Sequence, residues 1–111
     1  MPGPEALEKL LGGPRDGALL RYSLGNEYFK AGDFARAAQM LASALEKDPN
    51  YSAAWKLLGK AQEKAGDPAA ALSAFKRGTE VAEARGDIQA AKEMRVFARR
   101  LEKAAPESET D

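Results

Sequence analysis

Apolar residues recur along this chain at steps of three and four. Leu20, Leu24, Gly25, Tyr28 and Ala31 mark one such face, within a run from about Arg15 to Ala31. Phe34, Ala37, Ala38, Leu41, Ala44 and Leu45 mark a second. Recurrence at that spacing is the signature of a helix with one buried side. Between the two runs stands Gly32-Asp33, where the glycine suits a left-handed helix end and the aspartate suits the cap of the next helix. Pro49 then stops the second helix, because proline cannot continue it.

The same arrangement returns 34 residues later: Leu24-Gly25 as Leu58-Gly59, Ala31-Gly32-Asp33 as Ala65-Gly66-Asp67, Ala37 as Ala71, and Leu41 as Phe75. The second unit places Trp55, Leu58, Gly59 and Gln62 on its first helix, and Ala71, Leu72, Phe75, Thr79 and Ala82 on its second. Asp67-Pro68 is a strong start signal, an N-cap followed by proline in the first turn. With no proline to close it, the helix from Pro68 is expected to run on to about Arg85, until Gly86-Asp87 repeats the punctuation. A last amphipathic helix, Ile88 to about Ala104, puts Ile88, Ala91, Met94, Phe97, Ala98 and Leu101 on one side. At the other end, Glu5 to Leu11 reads as a short helix that either docks through Leu7, Leu10 and Leu11 or stays a frayed arm.

A 34-residue helix-turn-helix period with these small and large residues resembles the tetratricopeptide repeat. In the first unit Leu24, Gly25, Tyr28, Ala37, Leu41, Ala44 and Pro49 fall on seven of the eight signature positions, and Arg21 stands where tryptophan is usual. In the second, Trp55, Leu58, Gly59, Ala71 and Phe75 match, while Gln62, Gly78 and Glu83 replace tyrosine, alanine and proline. The expected fold is all-α: a solenoid of antiparallel helix pairs with a C-terminal capping helix. Residues 1–14 form an N-terminal arm, repeats span about 18–51 and 52–85, the cap spans 88–104, and residues 105–111 form an acidic, disordered tail. One repeat cannot stand alone. Ordering its backbone costs on the order of 1 to 2 kcal/mol per residue, against about 1.5 to 3 for each buried large apolar side chain. Ile88 to Leu101 is therefore expected to pack on the second repeat.

Composition narrows the function. The chain has no cysteine and no histidine, which removes disulfides, thiolate nucleophiles, imidazole bases and the usual zinc ligands. No phosphate-binding loop or nucleophile-base arrangement is visible, so a non-enzyme without cofactor or metal is expected. Basic and acidic residues balance at 17 each over 111 residues, which argues against nucleic acid or an anionic membrane as partner. Arg95, Arg99, Arg100 and Lys103 form a basic stripe without a reader motif. No apolar run approaches the roughly 18 to 20 residues of a membrane span, and no secretory signal opens the chain, so a cytoplasmic location is expected. Abundant alanine suggests a bacterial source.

The resemblance implies a protein-interaction module whose concave groove, lined by the first helix of each repeat, holds a peptide or partner segment. The groove-side positions it marks are Leu19, Tyr22, Asn26, Phe29 and Lys30 in the first repeat, and Ala53, Lys56, Lys60, Glu63 and Lys64 in the second. If the last helix sits like a third first-helix, Lys92, Arg95 or Arg99 extends the surface. On this reading Tyr22 and Phe29 take an apolar side chain, Asn26 fixes a backbone group, and Lys56 and Lys60 attract an acidic segment. The two-carboxylate clamp of chaperone-binding members is matched only by Asn26, with Tyr22 and Leu57 at positions that want lysine and asparagine. A self-associating structural subunit is the alternative to an adaptor or assembly factor, with a monomer the expected state. Glu107, Glu109 and Asp111 leave 17 basic against 14 acidic residues in 1–105. The acidic tail reads as solubilising, or as an occupant of a basic groove in its own molecule or a neighbour's.

Overall fold

A computed structural model describes residues 3–104, and all the regular structure within them is helical. The helices are α1 Glu5–Glu8, α2 Ala18–Lys30, α3 Phe34–Lys47, α4 Ser52–Lys64, α5 Pro68–Arg85 and α6 Ile88–Ala104. Each packs mainly on its chain neighbour, α2 on α3, α3 on α4, α4 on α5 and α5 on α6, which is the one-dimensional stacking of a solenoid. No described helix is long and apolar enough to cross a membrane. The acidic segment 105–111 lies outside the described residues.

The joints follow from the punctuation. Gly32 and Gly66 adopt φ of +83° and +89°, a region that carries a steric penalty for any side chain. At the first joint Asp33 N–H donates to the Tyr28 carbonyl and Gly32 N–H to that of Phe29, the paired bonds that close a helix end. Asp33 and Asp67 then accept from the backbone N–H groups of Arg36 and Ala70 at 3.3 and 3.2 Å, capping α3 and α5.

Glycines also decide how closely the helices approach. A Cβ on Gly25 would lie 2.6 Å from Leu41 Cγ, and one on Gly59 would strike the Phe75 ring. Gly78 stands where the repeat pattern usually has alanine, and a Cβ there would meet Met94 Sδ at 2.5 Å and Trp55 Cβ at 2.7 Å. The departure from the pattern thus makes room for α6. Met94 and Phe75 are wholly buried and, with Ala71, Ala82, Ala91 and Ala98, form the core between α5 and α6. Burying side chains of this size stabilises by about 1.5 to 3 kcal/mol each. A second core, around Leu24, Leu41, Leu45 and Leu58, joins α2 to α5, and Trp55 touches both. The Trp55 indole N–H donates to the Pro49 carbonyl at 2.8 Å.

Two expectations for the ends need correction. Helix α1 stops at Glu8 instead of Leu11, and Leu7 alone of its leucines packs on the core, while Leu10 and Leu11 are exposed. A chain of turns then leads from Lys9 to Gly12, whose φ is +81°. Besides Leu7, polar contacts hold the arm: the Tyr28 hydroxyl donates to the Glu8 carboxylate, and Asp16 accepts at 2.9 Å from both Gly12 N–H and the Arg21 guanidinium. Ile88 is 55% exposed and lies off the buried stripe. At 100° per residue it stands roughly 90° around α6 from the centre of Ala91, Met94 and Ala98.

Candidate functional site

The C-terminal halves of α2, α4 and α6 face one open groove of about 830 Å³. Helix α2 contributes Asn26, Phe29 and Lys30, and α4 contributes Leu57, Lys60, Glu63 and Lys64. Helix α6 adds Phe97 and Arg100, with Phe75 of α5 forming part of the floor. Four cationic side chains therefore surround the groove against one carboxylate among its lining residues.

The cations are held in place by aromatic rings. Phe97 packs at a tilt on Phe75, with ring centroids 5.2 Å apart. Lys60 Nζ stands 5.4 Å from the Phe97 centroid and the Arg100 guanidinium 5.5 Å from it. Across the groove Phe29 meets Phe34 edge-on at 5.1 Å, and Lys64 Nζ lies 5.8 Å from the Phe34 centroid. Each cation–π contact is worth about 0.5 to 1 kcal/mol at an exposed site, enough to bias a flexible side chain without neutralising it. Lys30 pairs with Glu27 at 2.9 Å. Among the described residues, Lys60, Lys64 and Arg100 have no ion-pair partner. The arrangement thus offers positive charge and apolar ring surface side by side.

Of the residues singled out from the sequence, Asn26, Phe29, Lys30, Lys60, Glu63 and Lys64 come together here. Leu19, Ala53, Lys92 and Arg99 do not line the groove, nor do Tyr22, Lys56 and Arg95. Tyr22 stacks on Tyr51 at 4.9 Å, and burial, with Tyr22 and Asp48 nearby, pushes the Tyr51 phenol up from its usual range. Lys56 reaches across to α6 and binds Glu93 at 2.6 Å. That bond, with a second from Gln89, holds the Glu93 carboxyl below its ordinary value, so the Lys56 charge is answered within the chain. Arg95 pairs with Glu83 and lines a separate depression between α5 and α6, together with Lys76, Thr79, Arg99 and Glu102. Two residues apart on a helix means about 200° of rotation, so Arg95 and Phe97 occupy opposite edges of α6.

Phe97 and Arg100 were missed as groove residues. Phe97 reads as core because it follows the three-and-four spacing, and it is indeed half-buried on Phe75. The available signal was the pair itself: an aromatic and a base three residues apart share one helix edge. Phase was the missing quantity: α6 has the expected bounds, but its rotation against α4 and α5 is not written in its own spacing.

Comparison with known proteins agrees with the architecture. The tetratricopeptide repeat family model matches residues 22–88. A TPR repeat-containing protein of Pseudomonas aeruginosa is 53% identical over 100 residues, which is 90% of this chain and 95% of that protein. The solution structure of a Bordetella parapertussis protein is similar with a TM-score of 0.80 at 42% identity, covering 94% of this chain and 90% of that one. The crystal structure of a tetratricopeptide repeat domain protein from Salinibacter ruber gives 0.74 at 26% identity, covering 81% and 100%.

Proposed function

This chain belongs to the tetratricopeptide repeat family, and on that premise we propose that it is a non-catalytic interaction module whose groove between α2, α4 and α6 holds an extended, acidic segment of a partner protein. Repeats of this family generally mediate protein–protein contacts, and the groove suggests the chemistry of the contact here. The observation that carries the reading is the Phe97 ring with Lys60 and Arg100 poised over it and no carboxylate bound to either among the described residues. A carboxylate entering there gains two charge-assisted bonds, while an apolar side chain beside it covers Phe97 and Phe29. Asn26 on the wall has an amide to pair with a ligand peptide group. An adaptor or assembly factor in the cytoplasm is the role that fits such a module.

The test is affinity capture from cells of the source organism, with wild-type protein, Lys60→Glu/Arg100→Glu, and Arg95→Glu as a charge-reversal control on the opposite edge of α6. Bonds to a charged group are worth about 1.5 to 3 kcal/mol each, so reversing two charges weakens binding by at least tenfold. A partner lost by the groove variant and kept by Arg95→Glu is the expected result. Retention by the groove variant would overturn the proposal.

A further inference from the structure

We propose that the acidic segment 105–111 of this same chain is an intramolecular ligand of the groove, so that a partner must displace it. The inference rests on the groove reading above and adds an occupant. Helix α6 carries Phe97 and Arg100 on the groove edge and is described as far as Ala104, one turn beyond Arg100. The seven residues that follow, Ala105-Pro106-Glu107-Ser108-Glu109-Thr110-Asp111, would on this proposal enter the groove from its rim. From Ala104 back to the level of Phe97 is about 10 Å along the helix, whereas seven extended residues reach about 24 Å. Pro106 resists helix continuation and favours an extended path for the residue before it, which suits a chain turning away from the α6 axis.

The pattern of charge supplies the second argument. Glu107, Glu109 and Asp111 alternate with Ser108 and Thr110. In an extended segment alternate residues share one side at intervals of roughly 6.6 Å. Bound in that form, the segment would turn three carboxylates one way. Arg100, Lys64 and Lys60 present three cations without ion-pair partners among the described residues, on the edges the segment would pass. Tethering makes even weak recognition count, because a short linker supplies an effective concentration in the millimolar range.

The full-length chain tests this against its isosteric variant Glu107→Gln/Glu109→Gln/Asp111→Asn, which keeps length and shape and removes the charges. The probe is a synthetic peptide with the sequence of residues 105–111, titrated into each protein and followed by NMR. The expected results are a shift of the Lys60, Lys64, Phe97 and Arg100 resonances between the two free proteins, and probe binding about 3- to 10-fold tighter to the variant. Identical resonances with equal probe affinity would overturn the intramolecular ligand while leaving the groove free to bind a partner. No probe binding to either protein would overturn it too. A difference between the proteins that appears only as protein concentration rises would place the segment on a neighbouring molecule and refute the intramolecular assignment. The groove reading fails separately, by partner retention in Lys60→Glu/Arg100→Glu.

Discussion

Replacing Gly59 by alanine sets two effects of opposite sign against each other, and the structure decides between them. On an isolated helix the change is favourable by about 1 kcal/mol, because alanine is the better helix former. Here the added methyl would fall on the Phe75 ring, with Cδ1 and Cζ at 2.7 Å and a third ring atom nearer still. Carbon atoms prefer about 3.5 to 4.0 Å, so the ring must withdraw by most of an ångström. It has little room to do so, being wholly buried and backed by Phe97. Overpacking of a dense core costs about 1 to 3 kcal/mol, and three ring contacts inside the hard limit argue for the upper half. The net expectation is a loss of about 1 to 2 kcal/mol. For a domain of this size each kcal/mol lowers Tm by about 4 to 8 °C, readily measured by circular dichroism or calorimetry. A rise in Tm would refute the reasoning, since helix propensity would then outweigh contact. The double variant Gly59→Ala/Phe75→Leu checks the mechanism: the smaller side chain vacates the ring position, so the pair is expected to be non-additive by about 0.5 kcal/mol or more in the favourable direction.

Two further outcomes follow from the same packing and electrostatics. Removing residues 87–111 uncovers Met94's site against Gly78 and Trp55 and strips one side of the α5 core, so cooperative thermal unfolding is expected to disappear; an unchanged transition would show that α6 is not needed as a cap. Asp16 is held well below the usual carboxylate range, chiefly by its bond to Arg21 and then by Gly12 N–H, so its contribution is complete above the unfolded value of about 3.9 and fades as pH falls below it. Asp16→Asn is accordingly expected to lower Tm at pH 7 and to converge on wild type as pH falls from about 4 to 2. A Tm difference constant over that range would show that the Asp16 charge does not contribute.

Much of the architecture was legible in the sequence because its determinants are local. Gly32-Asp33 and Gly66-Asp67 act within a few residues through backbone conformation and capping, and the buried face of α3, with Ala37, Leu41, Ala44 and Leu45, is written in its spacing. Close approach was legible too, since Gly25 and Gly59 each recur opposite a large residue, Leu41 and Phe75. The groove was legible in part. Asn26, Phe29, Lys30, Lys60 and Lys64 sit on helices whose repeat fixes their rotational phase. Helix α6 has no such repeat to set its phase, and there Arg95 was read in place of Arg100. Nor does spacing reveal which charges are already answered: the bond from Lys56 to Glu93 joins residues 37 apart in the chain. The sequence by itself determined where helices start, stop and touch, because those depend on short-range sterics and hydrogen bonding. Only the tertiary structure decided which side chains face one another across the groove and which cations lack an ion-pair partner among the described residues, because those depend on how separate helices are rotated against a shared core.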